Sequence, residues 1–209
     1  MSVQTAIGGQ ASADRAIIHP RWVRVTHWIN AVAIILMILS GWRIYNASPL
    51  FEDFEFPNGI TIGGWLAGAL LWHFAAMWLL VVNGIVYLTL GFLSGRFRRK
   101  LLPIRPSEVV ADIKAALAFK LAHEDLTVYN AVQKVLYLGV ILCGVVIVLS
   151  GLAIWKPVQL QELTALFGGY EGARYVHFFA MAAIVRFMVV HVALALLVPR
   201  NLRAMIAGR

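Results

Sequence analysis

"HFFAMAAIVRFMVVH", residues 177–191, is an apolar run closed at both ends by histidine and interrupted by one arginine. Ionisable side chains are costly at membrane depth, and where they occur they mark a function or a specific partner. The two histidines are fourteen positions apart. At about 100° per residue, that step returns to within about 40° of the same helix face. At about 1.5 Å per residue, it separates the rings by about 21 Å along the axis. As a helix, the run presents two imidazoles on one stripe at two depths.

The rest of the chain has the composition of a membrane protein. Hydrophobic residues make up 61% of its 209 positions and charged ones 13%, with a mean hydropathy of +0.79. Soluble domains are nearer half apolar and a quarter charged. Four stretches, 25–45, 62–90, 133–155 and 175–198, reach the roughly 20 residues that a spanning helix needs. Backbone groups left unpaired in lipid exclude most alternatives to helix. The predicted fold is all-α: an integral membrane four-helix bundle forming one domain over residues 20–209. Residues 1–19 read as a flexible cytoplasmic tail, without the apolar core of a cleavable signal peptide. His19 and His123 lie in polar segments and read as surface residues. The single Cys143 is mid-span, so it reads as packing.

The net charge of +8 is distributed by topology. Arg15, Arg21 and Arg24 precede the first span, and seven basic residues from Arg96 to Lys120 lie between the second and third, with Lys134 at the edge. Arg200, Arg203 and Arg209 follow the fourth. The opposite loops hold Arg43, Lys156 and Arg174 against Glu52, Asp53, Glu55, Glu162 and Glu171. The positive-inside rule then puts both termini in the cytoplasm. Contact with lipid accounts for the basic charge, and nucleic acid is excluded as a partner. Within the basic loop, "RPSEVVADIKAALAFK" sets Val109, Val110, Ile113, Ala116 and Leu117 on one helical face. That pattern suits a helix lying on the membrane surface or a plain connector.

A short internal repeat is visible. "ILMILSGWRIY" ends span one and "VIVLSGLAIW" ends span three, placing Gly41 and Gly151 at one depth. Spans two and four each carry an early histidine, His73 and His177, and the residue fourteen beyond His73 is Tyr87.

Topology sorts the four span histidines into pairs. His27 begins span one and His191 ends span four, so both lie near the cytoplasmic side. His73 and His177 both lie in the outer half. Two pairs at two depths is the pattern of two stacked haems, each iron taking one neutral imidazole on either face. The alternative is four unrelated packing histidines, which the sorting into two pairs by depth disfavours. Zinc is a weaker competitor, because the pairs are too far apart for one tetrahedral site and no carboxylate or thiol lies beside them. With no Cys-x-x-Cys-His in the chain, the haems are b type. Gly84 and Gly139, toward the inner half, suit either a porphyrin or helix packing in lipid.

At these residues the chain resembles the four-helix di-haem cytochromes b. That group includes bacterial cytochrome b561 proteins, the b-type subunits of nickel–iron hydrogenases and the gamma subunit of formate dehydrogenase. The resemblance rests on "RVTHW", "LWH", "YNAVQK" at 129–134, "SGLAIWKP" at 150–157 and the His177/His191 spacing. It implies that His27, His73, His177 and His191 ligate two haems b. It also implies a cytoplasmic-side quinone site at the start of span three, with Asn130, Gln133 and Lys134 as candidates. Val132 stands where the formate dehydrogenase pattern has glycine. An asparagine there is equally a good helix cap.

Six-coordinate irons leave no position for oxygen activation. The expected function is electron transfer between the quinone pool and an extracytoplasmic redox enzyme, a molybdenum enzyme or a hydrogenase. The alternative is a self-contained superoxide:quinone oxidoreductase, which the acidic outer loops disfavour by repelling an anion. Arg186, nine residues after His177, faces about 180° from the haem stripe. It calls for a partner on a neighbouring span, or at an interface with another subunit or a second copy in a homo-oligomer.

Overall fold

The computed structural model describes residues 18–118 and 129–208. Residues 1–17 of the expected tail, and His123, lie outside the described residues. Four long helices carry the bundle: α1 (Arg21–Ala47), α2 (Leu66–Leu93), α5 (Ala131–Trp155) and α7 (Gly169–Leu197), each long and apolar enough to cross a bilayer. Short helices connect them: α3 (Arg96–Leu101), α4 (Pro106–Leu117) and α6 (Gln161–Leu166), with α8 (Pro199–Ala207) closing the chain. No strand occurs among the described residues. The predicted all-α membrane bundle is the observed one.

The bundle is two hairpins. α1 packs tightly on α2 and α5 on α7, while spans of different hairpins approach only sparingly. What allows the close pairing is side-chain size. Ala69 and Ala76 are buried on α2, four residues before and three after His73. Ala173 and Ala180 repeat that placement around His177 on α7. Small residues let helix backbones approach in lipid, where no hydrophobic force pushes them together. The first hairpin adds a polar staple: Asn83 Nδ2 donates to the Thr26 carbonyl at 2.8 Å and to Asn30 Oδ1 at 2.7 Å.

Both ends of the described chain lie at one end of the bundle, where the Ile18 amide donates to the Gly208 carbonyl at 3.0 Å. This termini end also holds α3, α4 and α8. The α1–α2 and α5–α7 connections form the opposite, loop end. Two helix starts differ from the apolar runs. α2 begins at Leu66 because Gly63 and Gly64 take positive φ, of 101° and 70°, which a helix does not continue. α7 begins at Gly169, after Gly168 and inside the polar "GYEGAR", which hydropathy alone excludes. Helix α4 forms with Val110 and Ile113 exposed, an apolar face that the rest of the described chain does not cover. Asp112 Oδ2 on that helix accepts from the Ala131 amide at 2.7 Å and ties it to the start of α5.

His19 corrects the sequence expectation. It is only 9% exposed, with Nδ1 3.2 Å from an Arg96 guanidinium nitrogen. Burial pushes its imidazole down to about 4, and the neighbouring Arg96 charge adds to the effect. The ring that sequence placed on the surface is a neutral wedge under the termini clasp.

Candidate functional site

The four span histidines fall at two levels. At the termini end, His27 of α1 faces His191 of α7 across the two hairpins, with ring centroids 6.0 Å apart and planes at 61°. Phe187, one turn before His191, stacks on it at 5.5 Å and 14°. Trp28 meets His27 edge-on at 5.4 Å. At the loop end, His73 of α2 and His177 of α7 come within electrostatic reach of each other. The pairing expected from topology is the one the helices bring together.

The loop-end rings are held from behind. Ser40 Oγ lies 2.9 Å from His73 Nδ1, and Ser150 Oγ lies 3.1 Å from His177 Nδ1. Both serines are fully buried. The next residue in each case is glycine. A Cβ at Gly41 would stand 3.4 Å from His73 Cε1, and one at Gly151 would stand 3.1 Å from His177 Cε1. The "LSG" repeat is thus a hydroxyl and a bare backbone set against a histidine, once in each hairpin. Sequence reasoning took the glycines from that repeat and passed over the serines.

The haem implied by the sequence resemblance fits these residues. A metal–imidazole bond of about 2 Å on either side puts two ring centroids roughly 6 Å apart, which is the spacing of His27 and His191. Farther along, a Cβ at Gly84 or Gly139 would meet nothing within 4 Å, so neither glycine serves helix–helix contact within the described chain. Two buried donors, Arg24 Nε and Trp42 Nε1, have no acceptor among the described residues. Arg24 lies one turn before His27, and Trp42 follows the glycine that meets the His73 ring. A haem brings two carboxylates, acceptors that donors at either level could satisfy.

The candidate quinone residues are engaged structurally. Asn130 Oδ1 accepts from the Gln133 amide at 2.7 Å, and Gln133 Oε1 accepts from the Asn130 amide at 3.1 Å, a reciprocal capping box that starts α5. Lys134 Nζ donates to the Pro103 carbonyl at 3.2 Å. Beside them is an aromatic group that sequence reasoning did not assemble. Tyr129 and Tyr137 rings lie 5.0 Å apart, Tyr87 is within reach of both, and Arg96 hydrogen bonds Tyr129. Burial pushes the Tyr129 phenol up against the lowering pull of Arg96, so it stays a neutral donor. The signal available was Tyr87 itself, the residue fourteen beyond His73.

Arg186 is exposed on α7 and makes no hydrogen bond or ion pair among the described residues. Groups of three or more His, Cys, Asp or Glu able to hold a metal ion are absent among the described residues.

Comparison with known proteins identifies the family. Residues 18–208 match the family described as prokaryotic cytochrome b561. The chain is 56% identical over 191 residues, covering 91% of it and 96% of the relative, to the putative protein-methionine-sulfoxide reductase subunit YedZ1 of Azospira oryzae. The chain belongs to the prokaryotic cytochrome b561 family and is a multi-pass membrane b-type cytochrome.

Proposed function

We propose that this protein holds two haems b and carries electrons from quinol to an extracytoplasmic enzyme that reduces methionine sulfoxide in proteins. The observation that carries the reading is the His27/His191 pair, two rings from different hairpins at the spacing of a shared iron. The same stripe of α7 supplies His177 for the His73 level. In this reading all four histidines would hold the haem irons, and the bound groups would supply one-electron carriers at two depths.

The relative's name supports the choice of partner, a narrower one than the molybdenum enzyme or hydrogenase expected from sequence. Sulfoxide reduction takes two electrons and two protons and yields a thioether and water. A quinol supplies two electrons and releases two protons. The chain's task is therefore to separate these half-reactions and pass electrons singly between them.

The basic residues of the termini end and the acidic ones of the loop end support a cytoplasmic termini end in an inner membrane. Quinol oxidation then belongs beside the His27/His191 level. The capping box commits the side-chain oxygens of Asn130 and Gln133 but leaves their amide NH2 groups to donate to a quinone carbonyl. Lys134 anchors the α3–α4 connection beside them. Tyr87, Tyr129 and Tyr137 provide further neutral donors and exclude water. Exposed Arg186 suits contact with a second polypeptide.

The test is direct. Purified protein should carry about two haems per chain. A quinol analogue should reduce both, and the cognate reductase with a sulfoxide-containing protein should reoxidise them. A haem-free preparation, or haem that quinol leaves oxidised, would sink the reading.

A further inference from the structure

Resting on the two-haem reading, we infer that Ser40 and Ser150 are positioning residues that fix which nitrogen of His73 and His177 is free to bind iron, and that this control operates at the loop-end level alone.

The argument is a proton count. A serine hydroxyl has one proton to give. Ser40 gives its proton to the Leu36 carbonyl, at 2.6 Å, and Ser150 points at the Ile147 carbonyl, at 3.2 Å. What each hydroxyl offers the neighbouring ring is a lone pair, so the proton of that contact belongs to Nδ1. Each Nδ1–H therefore donates to a hydroxyl of the partner helix, and Nε2 keeps its lone pair for the metal. The arrangement occurs twice, in the same register of two hairpins. The following glycine admits the ring edge at 3.4 Å in one case and 3.1 Å in the other.

At the termini end neither His27 nor His191 has a ring-nitrogen hydrogen bond among the described residues. Their neighbours are Trp28, Phe187 and each other. An acceptor on Nδ1–H makes an imidazole a stronger donor to the metal and favours the oxidised iron. The two levels therefore differ in the electronic character of their ligands, although all four ligands are histidines.

The experiment is a redox titration of the purified holoprotein with Ser40→Ala, Ser150→Ala and the double variant, read in the visible spectrum and by the low-spin ferric resonance. His73→Ala first identifies which spectral component is the loop-end haem. Each single variant should move that component to higher potential and the double variant should move it farther, with the other component unchanged. Unchanged potentials in all three variants would overturn the inference, as would a shift confined to the other component. If an alanine variant loses the loop-end haem, Ser40→Thr and Ser150→Thr decide. Haem retained at its wild-type potential upholds the role of the hydroxyl, and haem lost again overturns it. A wild-type preparation with fewer than two haems would defeat the underlying reading, whereas two haems with unmoved potentials defeats only the serine assignment.

Discussion

In the hairpin of α1 and α2, His27 stands seven residues past the helix cap Pro20 and thirteen before Ser40. In the hairpin of α5 and α7, Tyr137 stands seven past the cap Asn130 and thirteen before Ser150. Fourteen residues beyond His73 is Tyr87, and fourteen beyond His177 is His191. The hairpins agree at the loop end, where each contributes a serine, a glycine and a histidine. They disagree at the termini end, where each has kept one histidine and one tyrosine, on opposite helices. A two-fold plan would put two equivalent corners at that level. This chain makes one corner of imidazoles, His27 with His191, and the other of phenols, Tyr137 with Tyr87. In the proposed function, this disagreement lets one end of a near-symmetric bundle do two things, hold an iron and present proton-bearing donors beside it.

Four substitutions could break that contrast. The largest effect is expected from the imidazole corner. His27→Ala or His191→Ala should lower the haem content from about two per chain to about one, with the loop-end spectrum retained. The matched changes in the other corner, Tyr87→Phe and Tyr137→Phe, should leave haem content intact. They should slow quinol oxidation by several-fold, the equivalent of about 1 kcal/mol for a lost hydrogen bond. Haem loss from the tyrosine variants would show that the corners are not chemically distinct.

A smaller effect concerns packing. The staple of Asn83 to Thr26 and Asn30 has no counterpart in the second hairpin, where the corresponding residues are Phe187, Leu136 and Val140. Asn83→Ala should cost about 1 kcal/mol in detergent unfolding, as polar contacts between membrane helices typically do. A further effect, confined to acid conditions, is pH dependence at the termini clasp. His19 titrates near 4 when folded and near 6.5 when unfolded, so the unfolded chain binds the extra proton more readily. Stability should be fully present above about pH 6.5 and should fall as pH drops toward 4. His19→Gln should flatten that slope in a thermal unfolding series.

Much of this was legible in the sequence because membranes simplify the problem. Length and hydropathy specify spans, and fourteen-residue spacing with alternating span direction specifies which histidines share a depth. What escaped depended on residues distant in sequence. Ser40 and Ser150 look like ordinary helix serines bonded to their own carbonyls until a second helix sets a ring against them. His19 reads as solvated because Arg96, which lies over it, is 77 positions away. Tyr137 gains meaning only when the two hairpins are aligned by their caps. Asn130 was legible both as a cap and as a candidate quinone residue, Gln133 only as the latter, and the capping box uses the oxygen of each amide and leaves its NH2.

The clasp between Ile18 and Gly208 has a further consequence. Because Ile18 and Gly208, the two ends of the described residues, meet at the end of the bundle that also holds α4 and the start of α5, the order of the hairpins along the gene is not dictated by the architecture. A permuted chain, opened between α4 and α5 and joined across the clasp, would cross the membrane with every span in its present direction. Such a chain would read second hairpin first, a rearrangement open to a fold built of two similar hairpins.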